Sequence, residues 1–217
     1  EVICGFGRTG KMFACETFNI RPDVLVVSKQ ITSSYMPLSA ILMNDRFYQP
    51  IADESNRIGS FGHGYTASGH PVATAVGLEN LKIIQERGLV GHVADLQDTF
   101  LSGLAELAKH PIAHSSRGIG LIGALEIKPW TDAKPGDAAL AVAEAALEAG
   151  VITRNIGEAV CFCPPLIITA AQINDMFKAI GQALDKVAKG TFYFDHSAGA
   201  YPGAAYEVRT VDGAGNA

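Results

Sequence analysis

No stretch of this 217-residue chain reaches the roughly 18 consecutive apolar residues that a membrane-spanning helix needs. A positive charge excess is also missing. The 17 lysines and arginines are outnumbered by 22 aspartates and glutamates, for a formal net charge of −5. That balance gives no footing for nucleic acid or an anionic bilayer as a partner. Cysteines are few: Cys4, Cys15, Cys161 and Cys163. Cys4 and Cys15 lack the close pairing of a zinc knuckle, Cys161 and Cys163 stand two apart in an apolar run, and the six histidines do not gather near them, so no metal site is read. Free thiols fit a reducing, cytoplasmic setting. The chain opens Glu1-Val2-Ile3-Cys4, without a methionine or a basic leader, and gives no signal peptide as written. Those first residues read as a strand cut from something longer.

What is present is 48% hydrophobic residues with 18% charged ones, enough for one large domain or two small ones. Asp23-Val24-Leu25-Val26-Val27-Ser28-Lys29 is the most informative stretch. Four apolar residues, three of them β-branched, suit a short buried strand better than a helix. Lys29 follows at its end, and Pro37 marks a turn soon after. Ligands of open α/β sheets bind beyond the carboxyl ends of strands, where an amine nucleophile would be useful. Spacing alone equally allows a solvated charge that ends a strand.

Gly5-Phe6-Gly7-Arg8-Thr9-Gly10 has the G-x-G-x-x-G pattern, but it lacks a full strand before it and an opening helix after it. It reads as a surface loop, with Arg8 and Lys11 open to anions or a partner chain. Leu38 to Met43 should be a strand, and Asn44 should start a short helix that stops near Pro50, with polar loop from Asp53 to Arg57. Phe61 to His70 holds three glycines, two histidines and two hydroxyl residues ahead of Pro71. A helix is expected from Pro71 to Arg87, buried through Val72, Val76, Leu81 and Ile84. The loop before it suits a phosphate at a helix N-terminus, with Thr66 adding a hydroxyl; an ordinary capped loop fits as well. His63 and His70 read as local hydrogen-bonding groups.

Beyond Gly88, the stripe Leu89, Val93, Leu96, Phe100, Leu104 and Leu107 predicts an amphipathic helix to Lys109. Ser115 to Gly120 reads as turn, Leu121 to Ile127 as strand, and Asp137 to Ala149 as helix. Val151 to Arg154 and Val160 to Phe162 read as a strand pair turned at Asn155 to Glu158. Thr169 and Gln172 form a capping box for the last helix, with Ile173, Met176, Phe177, Ile180, Leu184 and Val187 inward. The Gly- and Ala-rich tail from Gly190 reads as extended or disordered.

A lysine after a buried strand, a hydroxyl-bearing loop before a helix, and Arg154 in a small α+β unit suit pyridoxal 5'-phosphate chemistry on a carboxylate substrate, among other candidates. Three ordered segments narrow the field. They are Glu1 to Gly10, Ser28-Lys29-Gln30-Ile31-Thr32-Ser33-Ser34-Tyr35-Met36-Pro37, and Gly62-His63-Gly64-Tyr65-Thr66-Ala67-Ser68-Gly69-His70-Pro71. With Ile152-Thr153-Arg154 and Cys163-Pro164-Pro165-Leu166 they make residues 1–189 similar to the class III aminotransferases of the ω-amino acid or amine:pyruvate type.

The resemblance implies an α/β fold of the fold-type I pyridoxal-phosphate-dependent transferases. Residues 1–111 would end the large, mainly parallel-sheet cofactor domain. Residues 112–189 would form a small α+β C-terminal domain, and 190–217 a tail. It also implies pyridoxal 5'-phosphate bound covalently at Lys29, with Val2 against one ring face. Thr66 and the Tyr65 backbone would contact the phosphate across a homodimer with shared active sites. Arg154 would clamp a substrate carboxylate. The reaction implied is transfer from an amine or ω-amino acid to pyruvate or a similar 2-oxo acid. An aminomutase, a decarboxylase, or a non-cofactor nucleotide-binding or structural domain are the alternatives. The aspartate that pairs with the pyridinium nitrogen in the family would fall just before Glu1. The stretch given is therefore expected to be the C-terminal portion of such an enzyme and inactive alone.

Overall fold

A computed structural model of the chain describes residues 1–131 and 133–190. They divide into two compact units, Glu1–Gln97 and the residues from Asp98 onward. The tail beyond Gly190 lies outside the described residues.

In the first unit the opening residues are not a strand. They turn back on themselves, with Gly5 N–H donating to Glu1 O at 3.0 Å and Gly7 N–H to Met12 O at 3.2 Å. The Glu1 carboxylate accepts from the N–H groups of Ala14 and Cys15 at 3.1 and 2.8 Å, at the start of a four-residue helix, α1 (Ala14–Thr17). Those N–H groups are the unpaired donors of a helix start, which attract a carboxylate. The glycine loop is not at the surface either. Arg8 and Thr9 are only 6% and 4% exposed, so Arg8 is not open to a passing anion, while Lys11 is exposed.

The β-branched run forms β1 (Val24–Val27), paired antiparallel with β2 (Ala40–Met43) in the register Val24 to Met43 and Val27 to Ala40. Every strand pairing among the described residues is antiparallel; none of the parallel sheet expected of the large domain falls here. Helix α2 (Asp45–Ile58) runs through Pro50 instead of stopping there, and takes in the segment expected as loop. An internal proline costs about 3 kcal/mol. Several local terms offset it. The Asn44 side chain caps the start by accepting from Phe47 N–H at 3.3 Å. Gln49–Asp53 and Arg57–Glu54 link successive turns. Gly59, at φ 80°, closes the end by donating to Ser55 O.

Helix α3 (Pro71–Glu86) ends within one residue of its expected bounds; Ile84 is buried as expected, but Val76 and Leu81 are only half-buried. Ala73, Gly77 and Ile84 are inward, whereas Val72 is exposed. Small residues are selected here by close approach. A Cβ on Gly77 would lie 3.0 Å from Leu38 Cδ2. Helix α4 (Leu89–Leu107) follows, with Leu89, Val93, Leu96, Phe100 and Leu104 buried as its stripe predicts. The division between the two units falls within it.

The second unit is a four-stranded antiparallel sheet in the order β3-β4-β6-β5, with helices packed on it. Its strands are β3 (Ala113–Ile119), β4 (Ile122–Ile127), β5 (Arg154–Ile156) and β6 (Ala159–Phe162). Residues 115–119, expected as turn, are strand. Their serines and glycine have low intrinsic strand preference, but pairing with β4 holds them, with Ser115 and Arg117 bonded across to Glu126. The hairpin reverses at Gly120, φ 55°. β5 starts at Arg154, later than expected; Thr153, just before it, donates its hydroxyl to Cys161 O at 2.6 Å. The turn that follows is correspondingly tighter, at Gly157-Glu158.

α5 (Asp137–Glu148) and α6 (Ala170–Lys189) complete the unit. All six alanines of α5 are buried, which lets the helix sit close against its neighbours. α6 begins with the Thr169–Gln172 capping box and buries Ile173, Phe177, Ile180, Leu184 and Val187. On α5, Glu144 has one carboxylate oxygen sealed from solvent and without a partner among the described residues. Burial, and secondarily the nearby Glu148, push its carboxyl pKa up. A raised carboxyl pKa favours the folded state at low pH, and that advantage is lost as pH rises through the folded value. Glu144→Gln is therefore expected to raise stability by about 1 kcal/mol or less at pH 7, solvent screening limiting the gain. The advantage should shrink toward pH 4. Thermal melts of both proteins across that range check the sign.

Candidate active site

Lys29 begins a 3-10 turn, Lys29–Ile31, directly after β1. Its side chain is exposed, while Val27 at the strand's end is 1% exposed. β1 is not the buried strand expected, since Val24 and Val26 are exposed; its one buried residue, Val27, anchors the turn, and the amine stands off it. Lys29 has φ 44°, and Ser33 and Ser34 have φ 49° and 65°. Non-glycine residues rarely adopt this left-handed region, and when they do the surroundings must enforce it. Three of them within six positions mark a segment held against its local preference.

What enforces it is visible. Thr32, 1% exposed, donates its hydroxyl to Met36 O at 2.6 Å. Ser28 donates to Leu38 O at 3.2 Å. From α3, the Asn80 side-chain amide donates to Gln30 O at 2.6 Å and to Ile31 O at 3.2 Å. Asn80 is absent from the sequence-based site. The signal was there in the spacing. Ala73, Gly77 and Ile84 are the buried residues of α3, and position 80 falls on their stripe, so a polar amide interrupts an inward face.

The loop before α3 is exposed from Phe61 to His70. Phe61, His63 and Tyr65 stack edge-to-face, with centroids 5.9 and 5.6 Å apart. Tyr65 and Ser68 close a turn, Ser68 N–H donating to Tyr65 O at 2.9 Å and Tyr65 N–H to Ser68 Oγ at 3.1 Å. His70 Nδ1 accepts from Val72 N–H at 3.2 Å and so caps the helix, the local role expected of it. Thr66 sits within the turn, and its hydroxyl has no partner among the described residues. α3 thus carries this loop at its start and grips the Lys29 turn at Asn80. Val2 is 38% exposed and lines a recess of about 560 Å³ with Cys4, Ala14, Phe18, Ile20 and Leu25. Lys29 does not line that recess.

Arg154 belongs to the second unit, exposed at the first position of β5, opposite Cys161. No hydrogen bond or ion pair holds its guanidinium among the described residues. Arg117, by contrast, is tied to Glu126, whose carboxyl it holds below the usual range. Burial pushes the Cys161 thiol up, with Arg154 and Arg117 pulling the other way. Among the described residues no group of three or more His, Cys, Asp or Glu is placed to hold a metal ion, and no helix is long and apolar enough to cross a membrane.

Residues 1–184 match the family model Aminotransferase class-III. The chain belongs to the class-III aminotransferases. Among curated relatives it is 39% identical over 189 residues to gamma aminobutyrate transaminase 3, chloroplastic, of Solanum lycopersicum, covering 85% of this chain and 36% of that protein. It is 38% identical over 194 residues to vanillin aminotransferase of Capsicum frutescens, covering 87% and 42%. Among solved structures it is similar to the omega transaminase of Pseudomonas jessenii in complex with PMP, with TM-score 0.84 and 47% identity over 87% of this chain and 43% of that one. The fold class is accordingly that of the fold-type I transferases, expected from the resemblance. The chain spans less than half the length of these relatives. The dinucleotide alternative for Gly5 to Gly10 drops out, since this loop lies inside the class-III match.

Proposed function

We propose that the protein is an aminotransferase moving an amino group from an amine or ω-amino acid to pyruvate or a similar 2-oxo acid. The observation that carries this reading is Lys29, an exposed amine held in a left-handed turn just beyond Val27, the buried last residue of β1. Residues 1–111 would contribute to a large cofactor domain and 112–189 to a small one.

The residues present fit pyridoxal 5'-phosphate. Lys29 offers an accessible primary amine, and the Tyr65–Ser68 turn offers an unpartnered hydroxyl at Thr66. When bound, pyridoxal 5'-phosphate supplies the aldehyde that receives the amino group and the ring that stores an electron pair. Lys29 would hold the cofactor through Nζ and, when released, carry a proton at that atom to and from the substrate Cα. Val2 would pack on a ring face. The Thr66 hydroxyl and the Tyr65 N–H would donate to phosphate oxygens of a partner subunit's cofactor in a homodimer; the Tyr65 N–H would leave Ser68 Oγ to do so. Arg154 would take the carboxylate of the 2-oxo acid with two parallel N–H donors. Neither nucleic acid nor a membrane has a part in this reading. The four cysteines are thiols, not disulfides, which supports a reducing compartment such as the cytoplasm.

Assay of the full-length protein with a simple amine and pyruvate should yield alanine. Arg154→Ala should raise KM for pyruvate about 10- to 100-fold, the equivalent of one charge-assisted pair, with little change in KM for an amine lacking a carboxylate. No alanine from any amine would defeat the reading, and an unchanged pyruvate KM would remove Arg154 from it.

A further inference from the structure

We propose that Asn80 is a positioning residue for Lys29: its side-chain amide fixes the turn from which the lysine projects. The inference rests on the reading of Lys29 given above. Both protons of the Asn80 Nδ2 group are spent on this one turn, on Gln30 O at 2.6 Å and Ile31 O at 3.2 Å. Gln30 O already accepts from Ser33 N–H at 3.2 Å, so Asn80 adds a second donor there. The receiving carbonyls belong to the two residues that follow Lys29 in its 3-10 turn. A short 3-10 turn is a weak structure by itself, and Lys29 sits in it at φ 44°. Left to local preference, Lys29 would relax toward negative φ and its Cα–Cβ bond would swing with it. The α3 backbone lies close enough to oppose that movement. A Cβ on Gly77 would meet Leu38 Cδ2 at 3.0 Å and Ile31 O at 3.7 Å. Gly77 and Asn80 therefore act from one helix face, the first by close approach and the second by donating hydrogen bonds.

A lysine that must alternate between holding a cofactor and moving a proton needs Nζ returned to one place in each cycle. A donor that fixes the two following carbonyls does this without touching the reacting atoms. The same amide could instead serve only to seat α3, and the test separates the two roles. In cofactor-free full-length protein, trace acetylation with acetic anhydride is quantified by mass spectrometry at Lys29 and at Lys82. Lys82 is exposed on α3 and serves as an internal reference. Asn80→Ala should change the Lys29-to-Lys82 reactivity ratio at least about fivefold. In the cofactor-loaded enzyme, kcat should fall about tenfold with KM for both substrates within about twofold. Asn80→Gln, which keeps the amide, should recover part of each effect. If Asn80→Ala does not fold, Asn80→Gln alone should still change the ratio from that of the unsubstituted protein, by about twofold or more. An unchanged ratio, with the cofactor trapped on Lys29 by borohydride, overturns the role of Asn80. Trapping on a different lysine overturns the role of Lys29 itself.

Discussion

Lys29→Ala is expected to abolish transamination in the full-length protein, by at least about a thousandfold, because it removes both the covalent attachment and the proton carrier. The substituted protein should lose pyridoxal 5'-phosphate on dialysis and show no visible absorption from a lysine-bound cofactor. Lys29→Arg should be equally inactive, since a guanidinium does not give up its proton in this pH range. Neither loss should come from unfolding, because the side chain is exposed. The backbone makes a sharper check possible. At φ 44°, alanine remains as strained as lysine, whereas glycine does not. Lys29→Gly should therefore be more stable than Lys29→Ala by about 1 kcal/mol while staying inactive. A position whose backbone favours glycine yet must carry lysine for activity holds strain kept for function. Retained activity in Lys29→Ala, or equal stability of the two variants, would contradict this account.

The parts of the fold that were legible in the sequence are those decided locally. β1 is a β-branched run, α4 is a long apolar stripe, and the Thr169–Gln172 box names the start of α6. What escaped was decided by partners distant in sequence or by sums of small terms. β3 is strand because β4 pairs with it, despite serines and glycine. α2 runs through Pro50 with a cap, side-chain pairs and Gly59 that offset part of the proline penalty. Arg8 looked free beside glycines and is buried. The site divides in the same way. Lys29 and Thr66 enter the proposed site through the sequence segments around them. Asn80 lies 50 residues from Gln30, and only the folded chain shows which carbonyls it holds.

The largest expected effect on stability comes from Phe100→Ala. Phe100 is 0% exposed. Its ring lies 5.4 Å from that of Phe177, which lies 5.7 Å from Phe162, so one aromatic cluster joins α4, α6 and β6. The sheet leaves room for it at a glycine: a Cβ on Gly123 would be 3.0 Å from Phe100 Cε1 and 2.7 Å from Leu104 Cδ2. Gly123 has no side chain with which to fill the space left behind, and its backbone is fixed in the ladder with Phe162. The cavity should therefore persist, placing the cost at about 3–5 kcal/mol, the range for a fully buried phenylalanine. Urea denaturation followed through Trp130, the chain's single tryptophan, would measure it. Phe177→Ala should cost a similar amount, and the double variant clearly less than the sum, because the two rings share one cavity. The consequence reaches Arg154. It is paired with Cys161 on β6, next to Phe162 of the cluster, so a loosened cluster lets the strand carrying the guanidinium shift. Phe100→Ala should accordingly raise KM for the 2-oxo acid at temperatures where the protein is still folded, without affecting cofactor retention at Lys29. A strictly additive double variant, or a KM unchanged under those conditions, would show that the cluster stabilises the unit without holding Arg154 in place.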